Sequence, residues 1–239
     1  MANIVDYIKW RGDLEFKVDP FNSVDNLILA RLCYIEFDDL EPKGETLKRI
    51  TSRYIDSEIK MNPGLLLNEG NKPLLEGAGL SKRFGNIVIK NFVSKIDPSI
   101  QLQFSAVTYE IDKKTAYIAF RGTDDTLVGW KEDFNMSFMD VVPAQIEASK
   151  YLNNVIDKDN YKNIYIGGHS KGGNLSVYSA VKSNKSVKNR IKSIYSNDGP
   201  GFKNSLTKSP EYKLIADKII PLVPQSSIVG LLMEHEGNY

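Results

Sequence analysis

A chain of 239 residues with a formal net charge of +1 is long enough to bury a substantial core, and it carries no charge excess that would attract nucleic acid. Hydrophobic residues make up 41% and charged residues 26%, a balance typical of a folded globular protein. The single cysteine, Cys33, excludes an intrachain disulfide framework. We find neither the pattern of a secretory signal nor an apolar run of about 18 residues, so we expect a cytoplasmic protein without a transmembrane helix.

The first third of the chain has the spacing of amphipathic helices. A first helix is predicted to begin at Ser23 as its N-cap, and a more polar one is predicted over residues 45–60, before a loop at 71–73. The apolar residues that share one face of the first helix are Val24, Leu27, Ile28, Leu32 and Ile35. We therefore expect residues 1–84 to form a helical segment packed on a core of residues 85–239, the two together forming one structural domain.

From Gly85 onward the pattern changes to that of strands. Runs of strand formers predict strands at 86–93, 102–109 and 115–120, and the short turn at 112–114 predicts that the last two form a hairpin. Past Pro143 the order is helix, strand, helix, strand, strand, over residues 144–156, 164–166, 172–185, 190–196 and 218–223. Such alternation is typical of βαβ units, so we predict an α/β fold with a largely parallel central sheet flanked by helices.

One serine stands between a short apolar strand and a helix, in Gly168-His169-Ser170-Lys171-Gly172. This segment fits the pattern G-x-S-x-G, in which a sharp turn exposes the serine above the sheet and the glycines leave room for close packing. The helix that follows directs free N–H groups and a partial positive charge at the serine, which favours a developing oxyanion. Ser170 is therefore the candidate nucleophile, and the backbone N–H of Lys171 is the candidate first donor of an oxyanion hole.

Two motifs resemble those of α/β-hydrolases related to class 3 lipases. Phe120-Arg121-Gly122-Thr123 matches the F-R-G-[ST] turn of those enzymes, and residues 168–173 match their G-H-S-x-G-G elbow. The lipases more often carry leucine where this chain has Lys171. The resemblance implies an α/β-hydrolase fold, and it implies that Thr123 is the second oxyanion donor, through its backbone N–H and its hydroxyl; a plain turn at the end of a strand is the alternative.

The chain resembles the Mbeg1-like family of bacterial lipase-like proteins more closely. The stretches that carry this resemblance are residues 25–32, "RGTDDTLVGWKED" from Arg121 to Asp133, "GHSKGGN" from Gly168 to Asn174, and "SNDGPGF" from Ser196 to Phe202. Together they extend over nearly the whole chain. This family implies the same fold but no known substrate.

A catalytic serine needs a base within hydrogen-bond reach and usually an acid that orients the base. In α/β-hydrolases these follow the serine in the order acid, then histidine. We favour Asp198 as the acid because it follows the strand after the nucleophile helix, although a turn-capping role is the alternative. Class 3 lipases mostly place their acid one strand later, where residues 221–227 contain no carboxylate, and Asp217 is expected at the wrong end of that strand.

The chain has two histidines, His169 and His235. His169 directly precedes the nucleophile, so we expect its side chain to point away and to pack or hydrogen-bond within the elbow. His235 is the only histidine downstream of Ser170 and is the candidate base. Two alternatives stay open: His235 is a surface residue between Glu234 and Glu236, or the base is a histidine beyond the end of this chain, as the resemblance to the family implies.

Two clusters near Thr123 invite other interpretations. The first cluster consists of four acidic residues, which lack the spacing of a calcium-binding loop and have no histidine beside them. We therefore favour a solvated loop over a metal site, with Asp133 bracing the oxyanion turn. These acids are Asp124, Asp125, Glu132 and Asp133. The second cluster consists of five apolar residues, which could line an acyl pocket or form a lid, but we favour packing in the core. These are Trp130, Phe134, Met136, Phe138 and Met139.

These observations predict a serine hydrolase of the lipase or esterase type. It would cleave carboxylic esters, lipid esters among them, through a Ser170–His235–Asp198 triad and an acyl-enzyme, with no metal or organic cofactor. The expected partners are a small-molecule or lipid ester and at most a transient contact with a membrane surface. The alternatives are a lipid-binding or scaffolding relative without a working base, and an acyltransferase or thioesterase on the same fold.

Overall fold

The structure is a computed structural model that describes residues 2–35, 37, 40–56, 71–123, 126–225 and 227. Over these residues the strands are β1 Glu45–Thr46, β2 Val88–Asp97, β3 Leu102–Asp112, β4 Thr115–Phe120, β5 Asn163–His169, β6 Ile191–Asn197 and β7 Ile219–Leu222. The helices are α1 Ile4–Arg11, α2 Ser23–Leu32, α3 Leu47–Asp56, α4 Asn71–Leu80, α5 Leu127–Phe138, α6 Pro143–Lys158, α7 Lys171–Lys182, α8 Lys185–Arg190, α9 Asn204–Thr207 and α10 Pro210–Lys213. None of these helices is long and apolar enough to cross a membrane.

The described strands form one mixed sheet, ordered β1 to β7 as in the chain. Strands β1 to β4 pair antiparallel with their neighbours, whereas β4, β5, β6 and β7 pair in parallel. The predicted hairpin of β3 and β4 is confirmed, and so is the α/β class with its flanking helices. Short turns join β2 to β3 and β3 to β4, and such turns can connect only antiparallel strands, so the parallel pairing begins at β4.

The N-terminal helices differ from the sequence prediction, which lacks α1 and differs in three local details. The cap of α2 is Asn22 rather than Ser23, since the Asn22 side chain accepts hydrogen bonds from the amides of Val24 and Asp25. The predicted helix at 45–60 begins as the short strand β1, paired with β2, before α3 starts. The predicted loop at 71–73 is the first turn of α4, where a proline is tolerated because its missing N–H has no partner to lose.

Alternating side chains place one helical layer on each face of the sheet. On β4, Ala116, Ile118 and Phe120 lie in a core shared with α6 and α7. Tyr117 and Ala119 point to the opposite face and share a core with α1 to α4. The N-terminal helices therefore cover the face of the sheet that α6 and α7 leave open.

A buried ion pair fixes the N-terminal helices to the chain that enters the sheet. Arg83, between α4 and β2, donates two hydrogen bonds of 2.7 and 2.6 Å to the carboxylate of Asp25 on α2. Its guanidinium also donates to the backbone carbonyls of Leu14, Asp19 and Pro20. Both side chains of the pair are fully buried. This cluster holds the start of α2, the loop before it and the entry to β2 in one arrangement.

Candidate active site

The segments that follow β4, β5 and β6 meet at one edge of the sheet. These strands are parallel, so their carboxyl ends lie side by side, with Phe120 opposite Gly168 and His169 opposite Asn197. Thr123, Ser170 and Asp198 follow these three ends directly or within three residues. The structure therefore brings these predicted site residues to the same edge, as open α/β sheets do with their functional residues. His235 lies outside the described residues.

Ser170 occupies a sharp turn between β5 and α7. Its backbone has φ 56° and ψ −126°, a conformation that a residue with a side chain rarely adopts. The Ser170 amide donates to the carbonyl of Asn197 at 2.9 Å, and the Ser170 carbonyl accepts from the amide of Gly173 at 2.8 Å. A Cβ at Gly168 or Gly172 would collide with the carbonyl oxygen of Phe120, so the turn can pack this closely only with glycine at both positions.

Two backbone amides at this edge of the sheet are the candidate oxyanion donors. Lys171 is the first residue of α7, where amides have no partner within the helix. Neither its amide nor that of Thr123 donates to another described residue. The Thr123 hydroxyl instead donates to the Asp133 carboxylate, which confirms that Asp133 braces this turn. Any contribution of Thr123 to an oxyanion hole would therefore come from its backbone N–H.

Asp198 begins the turn after β6 and has the second strained backbone of the site, with φ 53°. Its amide donates to the carbonyl of Leu222 in β7 at 2.8 Å. Its half-buried carboxylate accepts a hydrogen bond from the hydroxyl of Ser227. Asp217 lies in a short helical turn directly before β7, at the opposite edge of the sheet, as expected from the sequence.

His169 is a hydrogen-bonding residue of the elbow, as predicted, but its partner is Tyr34, after α2. Its Nδ1 lies 3.1 Å from the hydroxyl of Tyr34, and the same hydroxyl accepts from the amide of Gly122 at 3.1 Å. Tyr34 thus connects the chain before Ser170 to the chain before Thr123, a role that the sequence did not indicate. Burial lowers the pKa of His169, and the nearby Asp198 carboxylate opposes that shift only in part.

The lowered pKa of His169 predicts a loss of stability in mild acid. Because the unfolded chain takes up a proton near the ordinary histidine pKa of about 6.5 and the folded chain resists it, the free energy of unfolding should decrease as the pH falls below that value. We expect His169→Asn, which keeps a polar atom near the position of Nδ1, to lose less stability over this range. Urea unfolding of both proteins at about pH 7.5 and about pH 5.5 measures the difference. An equal decrease in the two proteins would contradict this assignment.

The acids near Thr123 are not all solvated. Glu132 and Asp133 lie on α5 rather than in a loop, and Glu132 is fully buried. Its carboxylate lies 2.9 Å from the ammonium of Lys171, which is also buried. The solvated-loop interpretation is therefore wrong for Glu132, because the buried lysine next to Ser170 requires an opposite charge. Asp124 and Asp125 lie outside the described residues, and the described part of the chain holds no cluster of three potential metal ligands.

Helix α5 exposes apolar side chains beside the site. Phe134, Phe138 and Met139 are all exposed, so core packing is the wrong interpretation for these three. The two phenylalanine rings contact each other, tilted by 51° with their centroids 4.8 Å apart. Met136 is buried and lines a cavity of about 30 Å³ together with Phe202 and neighbouring residues. That volume holds a water molecule or two but no acyl chain. The Trp130 side chain is outside the described part of the structure.

Comparison with solved structures supports the fold. A fungal lipase in complex with an inhibitor superposes with a TM-score of 0.51 at 12% identity, covering 94% of this chain and 72% of the lipase. The M37 lipase superposes with the same TM-score at 15% identity, covering 85% of this chain and 68% of that lipase. At these identities the likeness shows the fold alone, and it confirms the predicted α/β-hydrolase fold.

Comparison with sequences identifies the family. No curated protein matches the chain. The model of the Mbeg1-like family matches residues 78–239. These residues include Ser170, Asp198 and the two oxyanion candidates, Thr123 and Lys171. The match confirms the predicted resemblance, three of whose four stretches lie within the matched residues, and the chain belongs to the Mbeg1-like family.

Proposed function

We propose that the protein is a serine hydrolase that cleaves carboxylic esters. The observation that carries this proposal is the strained backbone of Ser170, at the edge where Thr123 and Asp198 also lie. Such strain persists only where the surrounding structure enforces it, and it is concentrated at functional sites. Similarity of fold to two lipases supports the same class of reaction by analogy.

In the proposed reaction, Ser170 Oγ attacks the ester carbonyl carbon while His235 accepts the serine proton. The carbonyl oxygen becomes an oxyanion that accepts hydrogen bonds from the amides of Thr123 and Lys171. The tetrahedral intermediate collapses to an acyl-enzyme, and the leaving alcohol takes the proton back from the histidine. Water then attacks the acyl-enzyme by the same steps and releases the acid. Asp198 orients the imidazole and stabilises its charged form.

The contact of Asp198 with Ser227 supports His235 as the base. Ser227 follows β7, and its hydroxyl donates to the Asp198 carboxylate. His235 follows Ser227 by eight residues in the sequence. A chain of that length can span up to roughly 26–29 Å, so it is long enough for His235 to reach both Asp198 and Ser170.

The exposed apolar residues of α5 support ester substrates with an apolar acyl group. The helix begins four residues after Thr123, and Leu127, Phe134 and Phe138 are each more than 60% exposed on it. Apolar surface of this kind beside a site favours ligands that bury it. Lipid esters fit this surface better than small polar esters do.

Ester turnover tests the proposed function. The wild-type chain should hydrolyse p-nitrophenyl esters, and Ser170→Ala should reduce the rate by at least about 10⁴-fold because no other group can form the acyl-enzyme. Ser186→Ala, at an exposed serine on α8, is the matched control and should keep wild-type activity. Loss of activity in His235→Ala would support His235 as the base, and retained activity would place the base elsewhere. A wild-type chain that binds lipid but turns over no ester would contradict the proposal and favour a binding protein.

A further inference from the structure

A buried ion pair joins the residue after Ser170 to helix α5. The Lys171 ammonium lies 2.9 Å from Glu132 Oε2, and at most 1% of either side chain is exposed. The ammonium also donates to the side-chain oxygen of Gln103 at 2.5 Å and to the Gln103 carbonyl at 3.0 Å. Burying two charges is unfavourable compared with burying two apolar groups of similar size, even when the charges are paired. Packing alone therefore does not explain a lysine at this position.

The remaining contacts of Glu132 extend this cluster to β3 and α6, and Gln103 extends it to the chain after β4. Its Oε2 accepts from the Gln103 amide in β3 at 3.1 Å, and its Oε1 accepts from the Ala144 amide at the start of α6 at 2.9 Å. The Gln103 side chain donates in turn to the carbonyl of Gly122 at 3.4 Å. Gly122 directly precedes Thr123. The cluster thus extends from the nucleophile turn to the chain that carries the second oxyanion donor.

The next residue of α5 contacts that second donor directly. Asp133 follows Glu132 and accepts a hydrogen bond from the Thr123 hydroxyl. Two consecutive carboxylates of one helix therefore bind the side chains of Thr123 and Lys171, the two candidate oxyanion donors. Lys171 and Thr123 follow different strands, and α5 joins their side chains in addition to the register of β4 and β5 and the contacts of Tyr34.

We propose that Glu132, Asp133 and the Lys171 ammonium are positioning residues that fix the spacing of the Lys171 and Thr123 amides. This inference rests on the proposed function. An oxyanion hole is effective only when both donors lie about 3 Å from the position where the oxyanion forms. Movement of one donor therefore weakens binding of the transition state more than binding of the substrate. Loss of the ion pair should lower kcat and leave KM nearly unchanged.

The test replaces the whole pair with apolar residues, Lys171→Leu together with Glu132→Leu, so that no uncompensated charge stays buried. The control is Lys95→Leu with Glu147→Leu, which removes an ion pair between β2 and α6 whose lysine is 52% exposed. Both double variants are assayed with p-nitrophenyl butyrate and with an alkyl trifluoromethyl ketone, which forms a tetrahedral adduct with an active serine. In the Lys171/Glu132 variant we expect kcat to fall about 10- to 100-fold with KM within about twofold. The ketone should bind more weakly by the same factor as kcat/KM, and the control should match the wild type.

Several results would overturn the inference. One is a folded Lys171/Glu132 variant with wild-type kcat and wild-type affinity for the ketone, and another is a loss confined to KM. If that variant does not fold, Asp133→Asn tests the second anchor, with a smaller fall in kcat expected at constant KM; an unchanged kcat there also overturns the inference. An inactive wild-type chain would instead overturn the proposed function and this inference with it.

Discussion

Replacing Asp198 with asparagine is expected to lower kcat for ester hydrolysis by about 10³- to 10⁴-fold. An asparagine presents no negative charge to the imidazolium that forms in the transition state, and its amide group can hold the histidine in the wrong tautomer. The fold should persist, because asparagine tolerates the positive φ of this position and its side-chain oxygen can still accept from Ser227.

Asp217→Asn is the matched control for this prediction. Asp217 lies close to Asp198 along the chain but at the amino end of β7, on the opposite edge of the sheet. Its substitution should leave kcat and KM unchanged. Steady-state kinetics on both variants makes the comparison, with circular dichroism to check folding. If Asp198→Asn keeps wild-type kcat, Asp198 is not the catalytic acid and its contact with Ser227 has a structural role alone.

Arg83→Met is expected to lower the free energy of unfolding by about 3–5 kcal/mol. The substitution leaves the buried carboxylate of Asp25 without its counter-charge, and it also removes the donors that satisfy the backbone carbonyls of Leu14, Asp19 and Pro20. Because whole domains are stable by only about 5–15 kcal/mol, this is a large share of the total. Urea unfolding followed by tryptophan fluorescence measures it.

The control for the Arg83 prediction is a solvent-exposed ion pair on the surface of the protein. Lys150 pairs with Glu147 at 3.0 Å, but its side chain is 63% exposed. Lys150→Ala should therefore change stability by no more than about 1 kcal/mol. A similar loss of unfolding free energy in both variants would mean that burial does not determine how much the Arg83–Asp25 pair contributes to stability.

The position of the candidate site follows from local sequence patterns. A strand, a turn between glycines and a helix are each recognisable over a few residues, and Ser170 is the residue they place in the turn. Parallel strands align their carboxyl ends, which brings Thr123 and Asp198 to the same edge as Ser170. These features depend on contacts close in sequence or on a general rule of topology, so the sequence is sufficient to predict them.

The features that the sequence did not predict depend on contacts between distant residues. From its sequence neighbours, Glu132 is predicted to be an exposed acid. In the fold it is buried, because Lys171, 39 positions away, supplies its counter-charge inside the core. Tyr34 contacts Gly122 only because the N-terminal helices pack on the face of the sheet that they cover. Phe134 and Phe138 are residue types that are usually buried, yet on α5 both side chains are exposed to solvent. A lysine after Ser170, where the class 3 lipases more often carry leucine, is the one signal in the sequence that indicates the buried pair.

Reaction of the wild-type chain with a fluorophosphonate probe tests the central claim most directly, because such probes form a covalent adduct only with an activated serine. Peptide mass spectrometry locates the adduct, and heat-denatured protein controls for non-specific labelling. Our account predicts one adduct, on Ser170, that is lost on denaturation. Absence of an adduct, or an adduct on another serine, would contradict it.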